Sequence, residues 1–191
     1  MELGIYLFRH GQTYYNKSGR FTGDINSHLT PRGVRDARKV AEKLKGKKIQ
    51  VAFCTHLSRS KETLRYVLKF HPECTKTIID DRMIERDYGR LKGKYHSSVI
   101  TKYGKEQYDI WHRSYDVRPP GGESMRDVEK RVGSFINYLL KFMKKHKVSV
   151  AISAHGNSMR PFRKHFEKLS REKMMSLENP WDDFFVYTVR L

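Results

Sequence analysis

Two apolar runs in this chain stop in the same way. Leu3, Ile5, Tyr6, Leu7 and Phe8 lead into Arg9-His10-Gly11, and Val148, Val150, Ala151 and Ile152 lead into Ala154-His155-Gly156. Both runs are short, rich in branched or aromatic residues and bounded by glycine, which marks them as buried strands. Between them the same grammar recurs. A helix opens at Thr30-Pro31, with Thr30 as N-cap and Pro31 at the first helical position, and ends by Gly46. A second strand covers 50–54, a helix follows Ser58-Arg59-Ser60 to about Lys69, and a short strand covers 77–79. Ser124 caps a long helix whose apolar stripe is Val128, Val132, Phe135, Ile136, Leu139 and Leu140. After His155 a helix runs to about Lys168, and a last strand covers 184–189. Strands alternating with helices imply an α/β fold, a mostly parallel central sheet with helices on both faces. From Met83 to Gly122 aromatics, glycines and charges interleave without a clean strand, so this stretch reads as an inserted helical lobe over the C-terminal edge of the sheet. One domain, 1–191, accommodates all of this.

In a parallel sheet the carboxyl ends of the strands gather at one rim, where such folds bind ligands. Arg9, His10, Arg59 and His155 would then share that rim. Two guanidiniums and two imidazoles repel one another in an empty pocket but suit a dianionic phosphoryl group. One neutral imidazole can attack phosphorus. Neighbouring cations lower its pKa and keep it neutral, and a backbone carbonyl on its other nitrogen would fix the tautomer. A general acid is then needed for the leaving oxygen, and Glu85 in the lobe is the best-placed carboxyl. Gly11 reads as a residue that lets the backbone approach a ligand.

Net charge is +18, with 39 Lys and Arg against 21 Asp and Glu. Such a field attracts anions: nucleic acid, acidic lipid or small phosphorylated metabolites. The lysine runs at 43–48 and 141–147 fall where helices end and there complement the helix dipole, so solvated helix ends are favoured over nucleic-acid sites. No apolar run approaches the roughly 20 residues of a membrane span. Met1-Glu2 leads directly into the first strand without a leader pattern. Cys54 and Cys74 suggest neither a disulfide framework nor a zinc site. A cytoplasmic enzyme without metal is therefore expected, and nothing in the sequence fixes its oligomeric state, so a homo-oligomer is allowed.

The ordered set Arg9-His10-Gly11, Ser58-Arg59 and His155-Gly156-Asn157-Ser158 resembles the histidine phosphatase superfamily. Within it, Asn16, Arg20-Phe21-Thr22-Gly23, Glu85-Arg86-Asp87-Tyr88-Gly89, Ile110-Trp111-His112-Arg113 and Met159-Arg160 resemble the 2,3-bisphosphoglycerate-dependent phosphoglycerate mutases. The resemblance covers nearly the whole chain. It implies that His10 becomes phosphohistidine, that Arg9, Arg59 and His155 hold the phosphoryl oxygens, and that Glu85 exchanges the proton. It further implies that Asn16, Thr22, Gly23, Gly156 and Asn157 line the pocket. Arg86, Tyr88 and Arg113, with His96 and His112 as further candidates, would hold the rest of a small phosphorylated substrate. As a mutase the chain would need 2,3-bisphosphoglycerate as primer. Several positions depart from the mutase pattern: Gln12 stands for a glutamate, His96 for a lysine, and His112-Arg113 for two arginines. Each departure weakens the grip on a second anion or admits water. A phosphomonoesterase of the same superfamily is thus the nearest rival, and a non-catalytic anion or nucleic-acid binder the more distant one.

Overall fold

The computed structural model describes residues 1–190. Strand β1 (Glu2–Arg9) is followed by a single turn α1 (Tyr14–Lys17), then α2 (Pro31–Leu44), β2 (Val51–Cys54), α3 (Ser58–Leu68) and β3 (Lys76–Ile79). After two 3-10 turns come the short helices α4 (His96–Tyr103) and α5 (Lys105–Arg113) and the long α6 (Met125–His146). β4 (Val150–Ala154), α7 (Gly156–Glu167), α8 (Arg171–Ser176) and β5 (Phe184–Arg190) complete the chain. The sheet order is β3-β2-β4-β1-β5. Its first four strands are parallel and only β5 runs antiparallel, against β1.

Alternation along the strands sorts the core into two layers, because successive side chains point to opposite faces. Leu3, Ile5, Leu7, Val51, Phe53, Val150 and Ile152 pack with the buried stripe of α6 and with Met159 and Phe162 of α7. Tyr6, Phe8, Ala52, Cys54 and Ala151 pack on the other side with Val40, Ala41 and Leu44 of α2 and Leu64 and Val67 of α3. Caps end the helices where sequence placed them: Thr30 Oγ1 accepts from Gly33 N at 3.0 Å, and Ser124 Oγ accepts from Asp127 N at 3.2 Å.

The register β1–β4 pairs Arg9 with Ala154, so His10 and His155 leave adjacent strands at the same level. Gly11 has a structural reason different from ligand approach. A Cβ there would lie 2.2 Å from the Gly33 carbonyl oxygen, so the glycine lets the β1 exit press against the first turn of α2. The segment 83–122 carries α4 and α5 and closes a small core on Phe21 from the loop before α2, made of Tyr88, Leu91 and Val99 with Tyr108 and Trp111 against it. Its return to the main body is tight. Gly89 has φ +53°, and a Cβ there would lie 2.2 Å from the Pro120 oxygen.

Candidate active site

His10 stands at the end of β1 and is 2% exposed. Its Nδ1–H donates to the Gly11 carbonyl at 2.8 Å, which leaves the lone pair on Nε2. Arg59, in the first turn of α3 and 1% exposed, donates from Nε to that Nε2 at 3.3 Å. The other two guanidinium nitrogens donate to Ile25 O (2.8 Å) and Gly23 O (2.6 Å), so Arg59 also pins the loop over the site. The His155 ring lies 5.1 Å from that of His10. Its Nε2 is hydrogen-bonded to Thr55 Oγ1 at 2.9 Å, and its Nδ1 is buried without a partner. With the Thr55 hydroxyl as donor, Nδ1 carries the proton and is left to donate to an oxyanion.

Arg9 completes the cationic set. Its Nη1 donates to Asn179 O at 3.1 Å, its guanidinium lies 5.0 Å from the Trp181 ring centre, and its buried Nε has no partner. Gly156 makes room for it, since a Cβ at 156 would lie 3.3 Å from Arg9 Cζ. Two unpartnered buried donors beside an imidazole lone pair are what a bound oxyanion would satisfy. Burial, then the Arg59 and Arg9 charges, hold the His10 imidazole well below its ordinary pKa. Burial, then Arg59 and His10, do the same to His155. Burial also lowers Arg59, to about 10, still cationic at neutral pH. His10 is therefore neutral and nucleophilic, within a positive surround.

Beside this rim lies a cavity of about 230 Å³, lined among others by Arg9, Asn16, Thr22, Gly23, Gly156 and Asn157. Glu85 lines it as well. Its Oε1 accepts from Arg86 N (2.8 Å) and Asn157 N (3.1 Å), which fixes the carboxylate between the lobe and the first turn of α7. Tyr88, whose hydroxyl accepts from Asn157 Nδ2 at 3.2 Å, forms part of the wall, with His96, His112 and Arg113. Phe21, His96, Tyr108 and His112 form an aromatic box there, the two imidazoles 5.4 Å apart. Burial and then the Arg113 charge lower both imidazoles, His112 to about 3, so neither adds a positive charge at neutral pH.

Arg86 is a correction to the sequence reading. It is 0% exposed and absent from the cavity wall. Its guanidinium donates to the carbonyls of Glu123 (2.7 Å), Trp111 (3.0 Å), His112 (3.2 Å) and Val117 (3.4 Å). With four of its five N–H donors on backbone carbonyls and no face on the cavity, it braces the lobe where the sequence reading had it hold substrate. Conversely, Arg20 and Arg160, quoted above only for the family resemblance, and Glu178 and Asn179 line the cavity without having been assigned a role from the sequence. Asn179 ties the site together: beyond accepting from Arg9, its Nδ2 donates to Gly156 O at 2.8 Å and its Oδ1 accepts from Arg163 at 3.0 Å. A polar residue next to a proline and a tryptophan after α8 was the only signal for it in the sequence.

Residues 5–187 match the family model of the histidine phosphatase superfamily, branch 1. The chain belongs to that family. Among its relatives, the 2,3-bisphosphoglycerate-dependent phosphoglycerate mutase of Parvibaculum lavamentivorans is 39% identical over 178 residues, 91% of this chain and 84% of the relative. The protein of the same name from Mesorhizobium japonicum is 38% identical over 184 residues, 93% of this chain and 88% of the relative. Among solved structures, a mycobacterial glucosyl-3-phosphoglycerate phosphatase superposes with TM-score 0.82 at 21% identity, over 98% of this chain and 91% of that one. A putative alpha-ribazole-5'-P phosphatase from Escherichia coli does so with TM-score 0.78 at 24% identity, over 90% and 83%. These superpositions establish the histidine phosphatase fold. No helix among the described residues is long and apolar enough to cross a membrane.

Proposed function

We propose that this histidine phosphatase family member is a phosphoglycerate mutase, interconverting 3-phosphoglycerate and 2-phosphoglycerate through phosphohistidine at His10. The Nε2 lone pair of His10 attacks phosphorus. Arg9, Arg59 and the Nδ1–H of His155 take the equatorial oxygens and stabilise the charge that develops there. Glu85 gives its proton to the departing oxygen and takes one from the hydroxyl that later reclaims the phosphoryl group. 2,3-Bisphosphoglycerate would load His10 and also arise as the intermediate in each turn.

The observation that carries this reading is the single cavity with cations on both sides. Arg9 and the α7 N-terminus face the phosphoryl end, while Arg20 and Arg113 border the same cavity from other elements and Arg160 from one turn further along α7. A phosphoglycerate carries a phosphate and a carboxylate, and its bisphosphate intermediate carries a further dianion. Each needs a cation to keep it in place while the molecule reorients. The mutase names of the relatives at 38–39% identity point the same way. A phosphomonoesterase on small phosphorylated metabolites is the second reading, favoured by His96 and His112. Neutral imidazoles hold a bisphosphate less firmly than the cations of the mutase pattern, and a lost intermediate leaves water as the acceptor.

One reaction separates the two. Supplied with 3-phosphoglycerate and a trace of 2,3-bisphosphoglycerate, the protein should yield 2-phosphoglycerate well ahead of free phosphate. Phosphate without isomer would establish the phosphatase instead. His10→Ala should lose both products and the acid-labile phosphoenzyme.

A further inference from the structure

Taken separately along the chain, the lysine runs are helix ends. The fold brings those ends together. Helices α2, α3 and α6 all stop at the amino-terminal edge of the parallel strands, the pole opposite the rim that carries His10. There the exit of α2 contributes Lys45, Lys47 and Lys48, and the end of α6 contributes Lys144, Lys145 and Lys147. Lys69 at the end of α3 and Lys76 at the start of β3 extend the same surface. Contacts between these elements confirm the convergence. Lys48, Lys76 and His146 border one shallow groove, the Lys45 ammonium sits 5.0 Å from the Phe70 ring centre, and Gln50 N donates to Ser149 O at 3.1 Å.

All eight lysines are exposed, and none forms an ion pair among the described residues. Acidic groups are few at this pole. Glu2 is paired to Arg190, Glu42 is exposed, and Glu73 shares the groove with Lys48 and Lys76, one of its oxygens accepting from Ile49 N. Three helix C-termini together supply only about one and a half negative charges, so dipole compensation accounts for a minority of the lysines. We propose that this lysine pole is a docking surface for the phosphodiester backbone of duplex nucleic acid, independent of base sequence. Lysines act as point charges on phosphate. Phe70 is exposed between them but lies against the Lys45 ammonium, and Phe142 in the groove is half-buried, which gives little for unpaired bases to stack on. Because the pole lies at the other end of the strands from His10, the docked protein keeps its cavity open and turns over while bound.

The inference does not rest on the phosphotransfer reading, and its test is separate. Fluorescein-labelled DNA duplexes of two unrelated sequences are titrated with the full chain at several salt concentrations, and binding is followed by anisotropy. Equal affinities for the two duplexes and a steep loss with salt are expected. Lys47→Glu, Lys144→Glu, Lys145→Glu and Lys147→Glu combined should weaken binding by about 100-fold or more and flatten the salt slope by about three to four. Phosphoester turnover should be unchanged. The same charge change at Lys94, Lys102, Lys130 and Lys173, which lie elsewhere on the surface, should cost far less. If the first variant does not fold, the four Gln replacements carry the same comparison. Equal losses from both sets would overturn the assignment of the pole, as would strong preference for one duplex sequence. Binding to phosphatidylserine vesicles without binding to either duplex would replace nucleic acid by a membrane surface.

Discussion

At the sheet rim, His10, Arg59 and His155 are at most 2% exposed, and each is held by a neighbouring element: the Gly11 carbonyl, the 23–25 loop, Thr55. Across the cavity, His96, His112 and Arg113 stand on two short helices, partly or largely in solvent, with aromatic rings for neighbours. The rim is fixed by strand register and core packing on both sheet faces. The lobe side rests on a small cluster and on Arg86. On the proposed reading, reaction chemistry sits where the fold leaves no freedom, and substrate reading sits where substitution disturbs little else.

If that division is right, the largest effects come from the rim. On the proposed mechanism, Arg59→Ala removes a guanidinium that would stabilise the developing phosphoryl charge, and it should lower kcat by about a thousandfold. KM for 3-phosphoglycerate should move far less, and single-turnover kinetics would show the deficit in phosphoenzyme formation. A loss confined to KM would place Arg59 in binding alone. Asn179→Ala keeps the carbonyl that accepts from Arg9 but removes the side-chain ties to Gly156 O and Arg163 that hold it there, and should cost roughly tenfold to a hundredfold in kcat through misplacement of the Arg9 guanidinium. Asn179→Asp, which keeps the backbone acceptor and the Oδ1 contact to Arg163, should recover part of it.

The lobe answers in stability instead. Arg86→Met leaves four carbonyls without a buried charged donor and should destabilise the protein by about 3 kcal/mol, read as a lower urea midpoint. Activity per folded molecule should fall much less than in Arg59→Ala. Acid should act on both sides at once. His10 and His155 are held well below the ordinary value of 6.5 by burial first, and His112 is held at about 3 by the same cause. Below pH 6.5 the unfolded chain binds protons that these folded imidazoles refuse. Stability then falls as pH falls, by about 1.4 kcal/mol per unit for each histidine still neutral in the fold. Urea unfolding between pH 7.5 and 5.5 measures the slope, and His112→Phe should remove about a third of what these three contribute.

The rim was legible in sequence because each of its residues follows a strand or opens a helix whose period and caps are local. His10 and His155 mark strand exits, and Arg59 in the first turn of a helix opposes the dipole unless an anion is near. Even the carbonyl that sets the His10 tautomer was expected as a kind of partner, though not as Gly11 itself. Arg86 misled because its acceptors are main-chain oxygens of residues 111–123, and no side-chain pattern announces a carbonyl turned inward. Asn179 and Thr55 were invisible for a related reason. One meets Arg9 through its backbone carbonyl, and the other reaches His155 across 100 residues of chain.

The smallest predicted effect bears most directly on the comparison. His96→Lys with His112→Arg places two cations on the lobe side, where Phe21 and Tyr108 now surround neutral rings. Neither change touches the rim, so phosphoenzyme formation from 2,3-bisphosphoglycerate should be nearly unaltered. What should change is the fate of the intermediate, because added cations slow its escape and favour return of the phosphoryl group to the glycerate over transfer to water. The ratio of 2-phosphoglycerate to free phosphate should rise by about threefold to tenfold, the range that one or two partly exposed charge contacts supply. An unchanged ratio with faster phosphoenzyme formation would mean that the lobe shapes the chemical step itself, and the separation of rim from lobe would not hold.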